Sequence, residues 1–596
     1  MIVKMSKYSF LIYHRDYENF LKDLQALGVV HVIERSGELA EHIKNKIALI
    51  KRIETAVKHL KTKLHDGKYQ LEPNGENDCV RLLDETEKLS LDIDQNHQKM
   101  HQLNKELTNQ QPWGDFSIDT VKKLKNSGVE LRLFTVSSKS FDESWKEKYP
   151  LEIIREMSGN IYFAVFCRTG EEPDLKAEEV KLFDRSISDI RNEIQKLKFR
   201  IEEDISKLHS IAVKHIKDLE DFKTSIENEK QYSSIYSQGQ HEAEGKLIVL
   251  EGWVPEPKRA ELNSYLEKSS IIFLERAPSD EEIPDVPILT KNGYFASLFE
   301  PIARLFSLPS YTEIDLTAFF APFYMMFFGL CLGDAGYGVV MIVAATAAKF
   351  KIKKADMRAI LTLVQFLGLA TVIAGAITGT IFGVTLAESS LIKSAETKGL
   401  FLTADEMFNL SIAIGLIQII FGLLIKAFNI TKQNSFIAAL PTLGWVMMII
   451  AGITAGAFPE IKSIAMIFVW IGLAAAMLFS TTGNIFKRLG LGVWDMYNNI
   501  TGVFGDTLSY IRLFALGLSG SILGLVINNI GEIFLDIPYV GWLVWLVFLL
   551  VGHTGNLLLC SLGSFVHPMR LTFVEFYKNA GWTGGGKEYK PFKKNA

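Results

Sequence analysis

Long apolar runs dominate the second half of this 596-residue chain and constrain its fold more than any other feature. From Met1 to about Lys291 the sequence is densely charged, whereas from Ala318 to Tyr577 few residues are ionisable. A helix that crosses a membrane needs about 20 consecutive, predominantly apolar residues. Repeated runs of that length predict a water-exposed part that is followed by a multi-pass membrane part.

The apolar runs themselves are the candidate membrane spans. They are Leu316–Ala348, Ala359–Leu386, Met407–Phe428, Phe436–Ala457, Ile461–Gly483, Met496–Ile530 and Tyr539–Tyr577. The first run has 33 residues, which is too long for one perpendicular helix and too short for two full-length ones. Its centre carries four glycines and Asp334, so we expect a break there.

Loop charges predict the number of crossings. Residues 349–358 contain five basic residues and one Asp, and basic loops concentrate on the cytoplasmic side. If the charged N-terminal half lies on that side too, two crossings must precede this loop. We therefore predict an eight-helix transmembrane domain over residues 316–578, with both termini cytoplasmic. A linker is predicted at 301–315 and a basic tail at 579–596, and we interpret the tail string Gly584–Tyr589 as a flexible terminus.

The charged half, residues 1–300, predicts two α/β lobes. A strand–helix–strand pattern begins the chain, with Gly28 as the helix terminator. Later strands would complete a membrane-proximal lobe from residues 1–40 and 230–300, and residues 113–170 would form a distal lobe. The predicted strands are Tyr8–Tyr13, Val29–Glu34, Glu130–Val136, Ile161–Phe166, Lys246–Val254 and Ile271–Glu275, and the predicted helices are Asp16–Leu27 and Val121–Lys125.

Three apolar stripes connect these lobes. They run from Ile43 to Leu64, from Leu82 to Leu107 and from Ile187 to Leu208, at spacings of three and four residues. Such spacing is typical of coiled coils, in which apolar residues meet along one face of each helix. We predict antiparallel coiled-coil arms at 41–110 and 173–229, which makes the cytoplasmic part an α+β dumbbell. Solvated helices that pack on their own domain are the alternative.

Composition argues against several kinds of chemistry. A formal net charge of −4 is not that of a nucleic-acid binder. The four cysteines are far apart and lack metal-ligand spacing, and no Walker A pattern occurs. We expect no metal, no cofactor and no nucleic-acid partner, and we assign any nucleotide chemistry to another protein.

Ionisable residues inside the last two apolar runs are candidates for function, since charge within a membrane is costly. Arg512 lies 16 residues into its run, where its guanidinium cannot easily reach either membrane surface. Asp506, Arg570 and Glu575 lie nearer the ends of their runs, so contact with headgroups or water is an equal alternative for them.

Polar residues of the final run recur every three or four residues. This stripe contains His553, Asn556, Cys560, Ser564, His567 and Arg570. Hydrogen-bonding contacts between helices would explain Asn, Cys and Ser, but two histidines and an arginine favour a water-lined ion path. Pro568 should kink the helix there, and Gly517, Gly520 and Gly524 permit close approach by another helix.

At this point the sequence resembles a known family. The strings SYIRLFALGLSGSILG, VHPMRLTFVEFYK, FFGLCLGDAGYG, EGWVP and FEPIARLF are similar to those of the membrane stator subunit of V-type and A-type rotary ATPases, called subunit a or subunit I. The resemblance covers the whole chain in order. It implies that Arg512 is the essential arginine facing a rotor ring, with Arg570 as the second arginine and His567 and Glu575 along the ion route.

The chain departs from the eukaryotic members of that family at three positions. Gly520 replaces a histidine, Cys560 replaces a glutamate and Asn498 replaces an acid. Because of these replacements, the residues that would line the exit path do not follow from the resemblance. The shorter length suits a bacterial or archaeal plasma membrane protein.

The resemblance implies a non-catalytic, ion-translocating stator with two half-channels. We expect ion-translocation residues at Arg512, Arg570, His567, Glu575, Asp506, Ser509, Asn556, Ser564, Cys560 and His553. Expected partners are the c/K-type proteolipid ring, peripheral-stalk subunits E and G, a central-stalk subunit and membrane lipid. The alternatives are an ion-coupled secondary transporter and a membrane-anchored scaffold. Neither the ion, proton or sodium, nor the direction of ATP turnover follows from this chain.

Overall fold

The computed structural model describes residues 1–35, 41–63, 79–269, 271–386, 401–479 and 485–594, with side chains from residue 490 in the last range. The chain divides into two compact units. One contains Met1–Ile33 and Gln240–Lys593, and the other contains Glu34–Gly239.

The first unit begins with β1 (Met5–Tyr13), α1 (Tyr17–Leu27) and β2 (His31–Val32). Gly28 ends α1 with a φ of +61°, and its N–H donates to Leu24 O, which confirms the predicted terminator. Glycine is favoured there because the left-handed conformation costs it no Cβ clash.

The second unit contains three long helices and a small sheet. In chain order its elements are α2 (Glu41–Lys63), α3 (Cys79–Gln110), α4 (Ile118–Asn126), β3 (Val129–Ser137), α5 (Trp145–Lys148), β4 (Leu151–Met157), β5 (Asn160–Arg168), β6 (Glu178–Val180) and α6 (Ile187–Tyr236). The strand order is β4-β5-β3-β6, and the predicted strands of this lobe are β3 and β5.

The predicted apolar stripes form the interface between these long helices. Leu60, Leu83, Leu208 and Leu219 are almost fully buried in one cluster. Ion pairs at the edge, such as Lys46 with Glu229 at 3.1 Å, show that α2 runs antiparallel to α6. Burial of one apolar face on each helix thus holds the long helices together. Supercoiling of the arms stays a prediction.

The chain returns to the first unit with β7 (Gln240–Glu242), β8 (Leu247–Pro255), α7 (Arg259–Lys268), β9 (Ile272–Arg276), β10 (Pro287–Ile288), α8 (Tyr294–Ser297) and α9 (Glu300–Arg304). The sheet has the order β2-β8-β1-β9, with β7 also paired to β8. The late strands β8 and β9 join the N-terminal sheet, where they flank β1. Because β8 separates β1 from β2, the first strand–helix–strand unit is split.

The apolar helices follow. They are α10 (Thr317–Leu332), α11 (Ala335–Lys351), α12 (Ala355–Thr378), α13 (Ala404–Gln433), α14 (Phe436–Ala457), α15 (Lys462–Phe479), α16 (Ile485–Ile533) and α17 (Gly541–Arg570), with β11 (Thr380–Ile381) and β12 (Val384–Thr385) after α12. Beyond α17 come a π-helical segment (Leu571–Phe576), α18 (Tyr577–Asn579) and β13 (Lys587–Glu588).

Within the described residues, six helices are long and apolar enough to cross a membrane, and α10 and α11 form a further pair bent by 120°. The chain is therefore a multi-pass membrane protein. The bend lies at Gly333, with a φ of +56°, and at Asp334, whose side chain accepts from Tyr337 N and caps α11. The break is where the sequence predicted it. The Thr-x-x-Glu spacing of Thr403 and Glu406 also predicts a capping box, and the two residues form one at the start of α13. The count of eight spans stays a prediction.

The tail packs on the N-terminal lobe, so the expectation of a flexible terminus at Gly584–Tyr589 was wrong. β13 pairs in parallel with β10, and Phe592 is 1% exposed. The Glu313 carboxylate accepts from Thr583 N at 2.7 Å, and Gly586 N donates to Leu308 O at 3.2 Å. The buried Phe592 side chain and the pairing of β13 with β10 hold this glycine-rich stretch in place.

His31 joins the lobe to the tail. Its Nδ1 accepts from Lys590 N at 3.0 Å, and its ring stacks on Tyr589. Burial holds the pKa of His31 below its usual value of 6.5, and the charges of Lys587 and Lys590 act in the same direction. Docking therefore favours the neutral imidazole.

This linkage predicts that acid weakens tail docking. The contribution of neutral His31 is present above about pH 6.5 and is lost as the pH falls below it, because the undocked imidazole protonates first. Hydrogen exchange of residues 587–592, corrected for intrinsic rates, should show falling protection between pH 7 and pH 5.5. His31→Gln should remove most of this pH dependence. Equal dependence in both proteins would contradict the assignment.

Candidate functional site

Helices α16 and α17 lie side by side and antiparallel. A Cβ built on Gly520 would lie 3.2 Å from Cys560 Sγ, and Asp506 contacts Lys578 further along. Gly517 similarly faces Leu330 O of α10. The small residues thus permit the close approach that the sequence predicted.

The predicted site residues fall into two polar groups along this pair. We call the first the arginine cluster: Asp506, Ser509, Arg512, Ser564, His567, Arg570 and Glu575. We call the second the tyrosine network: Tyr337, Asn528, His553, Asn556 and Cys560. The single stripe predicted on the final span is therefore divided between two sites, and the ion-translocation role of each residue stays a prediction.

Asp506 of the arginine cluster is buried and paired. It is 8% exposed, and it accepts from Lys578 Nζ at 3.3 Å and from Asn579 Nδ2 at 2.9 Å. The same Asn579 Nδ2 donates to Glu575 O at 2.8 Å. A cavity of about 60 Å³ opens beside this pair, and Asn498 lines it.

Glu575 lies on the π-helical segment next to this pair. Its side chain is almost completely buried, and Oε2 has no hydrogen-bond partner among the described residues. The side chain of Ser509 lies within hydrogen-bonding reach, and the charges of Asp506 and Arg512 act on the carboxylate. A π-helical segment shortly after Pro568 is consistent with the distortion that proline was expected to introduce.

Arg512 carries the least compensated charge of the cluster. Its Nη1 atom is buried and has no hydrogen-bond partner among the described residues. Glu575 and His567 lie close enough for their charges to interact with it. A guanidinium at the centre of a membrane costs about 2.5–3.5 kcal/mol on translocon scales, so a further partner is expected.

Ser564, His567 and Arg570 of α17 complete the cluster. Ser564 Oγ is buried and lacks a hydrogen-bond partner within the same described residues. His567 is partly buried and interacts with the charges of both Arg512 and Arg570, whereas Arg570 is exposed. The cluster thus combines fixed positive charge with orphaned polar atoms.

The sequence analysis missed a buried pair that includes Tyr510, two residues before Arg512 on α16. Tyr510 OH donates to Gln418 Oε1 of α13 at 2.8 Å, and both side chains are fully buried. The Tyr510 ring packs on Phe327 and on Gly415, where a Cβ would clash with it. Gln418 interrupts an apolar run, so the rule that singled out Arg512 could have found it.

The tyrosine network is a continuous set of hydrogen bonds. Asn556 Nδ2 donates to Tyr337 OH at 2.9 Å, and Tyr337 OH contacts His553 Nδ1 at 2.8 Å. His553 Nε2 contacts Asn528 Oδ1 at 2.9 Å. Because Asn528 Nδ2 donates to Phe382 O, its Oδ1 must accept, which places the His553 proton on Nε2 and leaves Nδ1 to accept from Tyr337.

The network extends from Asn556 to Cys560, whose Sγ donates to Asn556 Oδ1 at 3.1 Å. Sequence reasoning missed Tyr337 and Asn528, although Tyr337 lies in the glycine-rich break. Within the described part of the chain, no group of three or more His, Cys, Asp or Glu side chains could hold a metal ion.

Comparison with known proteins gives consistent matches. The model of the V-type ATPase 116 kDa subunit family matches residues 171–369. The A-type ATP synthase subunit I of Methanocaldococcus jannaschii is 30% identical over 453 residues, which cover 69% of this chain and 64% of that protein. That of Pyrococcus abyssi is 30% identical, covering 64% of this chain and 59% of its own length.

A further relative aligns from end to end. The V-type ATP synthase subunit I of Borreliella burgdorferi is 24% identical over 617 residues, covering 100% of both chains. The chain belongs to the V-type ATPase 116 kDa subunit family.

Proposed function

We propose that this chain is the non-catalytic stator and ion-transfer subunit of a V/A-type rotary ATPase. It would supply two half-channels for protons or sodium ions to and from a rotor ring, while ATP chemistry takes place on other subunits. The buried Nη1 of Arg512, which has no hydrogen-bond partner among the described residues, carries this proposal, together with the relatives named ATP synthase subunit I.

Arg512 would act on a ring carboxylate as it passes. In lipid such a carboxylate is best neutral or loaded with its ion. An opposite charge within about 4–6 Å lowers a carboxylate pKa by roughly one to three units, so the ion would be released beside Arg512. The same fixed charge would repel cations and block a direct leak.

The arginine cluster would line the half-channel on the tail side. Buried polar atoms are normally satisfied by protein or ordered water. The orphaned atoms of Arg512, Ser564 and Glu575 fit a hydrated path that also reaches Ser509 and His567. Asp506 and Asn498 would line its mouth at the small cavity.

The tyrosine network would line the second half-channel, with His553, Asn556 and Cys560. It meets α16 at Gly520, because Asn556 Nδ2 donates to Gly520 O at 3.2 Å. Gly520 lies eight residues, or about 12 Å along a helix, from Arg512. The two groups therefore offer separated routes to one guanidinium.

The surface of α16 and α17 would face the ring. Only 6% of the most apolar 18-residue stretch within residues Gly541–Asn579 is buried, compared with 39% for the corresponding stretch of α12. Exposed apolar residues on the pair include Leu518, Ile522, Leu558 and Leu562. Large exposed apolar surfaces of this kind need lipid or a protein partner.

The remaining parts would complete a stator. Helices α10 and α11 have 16 and 17 residues and would be two short crossings, which gives eight spans with both termini cytoplasmic. The second unit would form the coiled-coil arms and distal lobe of a dumbbell that binds peripheral-stalk subunits E and G. A central-stalk subunit at the ring would be a further partner.

Replacing Arg512 by Ala should abolish ATP-driven ion pumping. Removal of the fixed charge leaves ring carboxylates protonated or loaded, so the ion is not released. Pumping in vesicles should fall at least about 100-fold, which corresponds to about 2.8 kcal/mol, while the purified complex keeps its subunits. Arg358→Ala, which removes an exposed arginine outside both groups, is the matched control. Pumping by an assembled Arg512→Ala complex at the level of the control would refute the mechanism.

Tyr510→Phe should destabilise the membrane domain by about 1–3 kcal/mol, because it leaves the buried Gln418 Oε1 without its donor. The double variant Tyr510→Phe/Gln418→Leu removes both polar groups and should recover part of that loss. Unfolding in mild detergent against increasing denaturing detergent would measure the differences in stability. A double variant that is no more stable than Tyr510→Phe would show that the unpaired Gln418 is not the cause of the loss.

A further inference from the structure

A strained turn lies at the edge of the tyrosine network. Strands β11 and β12 are joined by Phe382 and Gly383, whose φ values are +49° and +75°. Two successive positive φ values are the signature of a type I′ turn, for which Asn-Gly is the preferred pair. A phenylalanine at the first position is unfavourable, because bulky residues rarely adopt this conformation. Such strain persists only where contacts with the surrounding structure compensate for it.

Asp334 holds this turn in place. It is 1% exposed, and its carboxylate accepts from Phe382 N at 2.9 Å and from Gly383 N at 2.7 Å. Phe382 O accepts from Asn528 Nδ2 at 2.8 Å. Side chains of two different helices thus bind the backbone of the turn, and the charged acceptor strengthens the bonds to Asp334.

The Phe382 ring packs against two members of the network. Its centroid lies 5.7 Å from that of Tyr337 and 5.9 Å from that of His553, both at steep interplanar angles. Gly336 leaves the space for it, since a Cβ there would lie 2.6 Å from Phe382 Cδ2.

Gly383 packs equally closely on α16. A Cβ on Gly524 would lie 2.8 Å from Gly383 Cα. The turn is therefore wedged between α11 and the α16–α17 pair, and Gly336 and Asp334 of the broken first run serve this contact.

We propose that Phe382 occludes the end of the tyrosine network that lies away from the arginine cluster, and that Asp334 is the positioning residue that holds it there. The inference rests on the proposed function, because it makes this turn the barrier that water and small cations must pass to enter the second half-channel. This role explains why phenylalanine occupies the strained position, since its aromatic ring covers Tyr337 and His553 and an asparagine side chain would not.

Cys560 provides a direct test, since it lies at the inner end of the network. Membranes that hold the assembled complex would carry Cys79→Ser, Cys167→Ser and Cys331→Ala in this chain. A charged, membrane-impermeant methanethiosulfonate would be added on the side opposite the ATP-hydrolysing head, and mass spectrometry would follow modification of Cys560. Phe382→Asn supplies the residue that the turn prefers, so the fold should persist. Phe382→Tyr keeps the ring and is the matched control.

The occluded state should protect Cys560 in the parent and in Phe382→Tyr. Because open states of a closed gate are commonly 0.1–10% populated, Phe382→Asn should raise the modification rate by about tenfold or more. Asp334→Asn, which weakens the hold on the turn, should also raise it. Equal rates in the parent, Phe382→Asn and Asp334→Asn would overturn the proposal, as would a Phe382→Tyr rate equal to that of Phe382→Asn.

The test is independent of pumping. If Arg512→Ala abolishes pumping but Cys560 reacts equally in every Phe382 variant, the stator function stands and the occlusion is wrong. If Cys560 becomes accessible in Phe382→Asn while Arg512→Ala still pumps, the occlusion stands and the stator mechanism is wrong.

Discussion

The proposed ion-transfer site depends on one positive charge, that of Arg512, which the described part of the bundle leaves incompletely hydrogen-bonded. Arg512 lies within an apolar helix and keeps a buried nitrogen without a hydrogen-bond partner among the described residues. Burial of an unpaired charge is tolerated only when something else offsets it. The antiparallel α16–α17 pair, the Tyr510–Gln418 hydrogen bond and the exposed apolar faces on both helices fit an arrangement that is completed by another molecule.

The two polar groups differ in how fully they are satisfied. In the tyrosine network each side chain has a defined hydrogen-bond partner, down to the proton position on His553. In the arginine cluster, Arg512, Ser564 and Glu575 each leave a buried atom unpaired. A satisfied network holds helices in place, whereas orphaned groups mark a site where water or a passing group completes the contacts. This difference fits an occluded half-channel lined by the tyrosine network beside a hydrated one lined by the arginine cluster.

Much of this fold follows from local patterns. Apolar runs, the Asp334 break, the Thr403 capping box and the stripes on the long helices were all readable because each depends on residues close in sequence. Tail docking was not, because Phe592 and Glu313 meet partners hundreds of positions away. The candidate arginine could be found from its neighbours alone, and Gln418 stands out as a polar residue in an apolar run. The pairing of Gln418 with Tyr510 could not be found in this way, since the two residues lie 92 positions apart.

Phe382 is a second feature that local sequence patterns do not reveal. An aromatic residue before glycine gives no sign of a strained turn until β11 and β12 are seen to pair. Its value lies in contacts with Tyr337 and His553, which belong to distant helices. A local rule is broken there because tertiary contacts compensate for it.

A density map of the assembled complex would show whether Arg512 meets the ring. We expect that, in at least one rotational state, the Arg512 guanidinium lies within about 4 Å of a carboxylate on the ring, the range of a direct ion pair. A map in which Arg512 turns into its own bundle and pairs with Glu575 in every rotational state, with no ring carboxylate near it, would contradict the account.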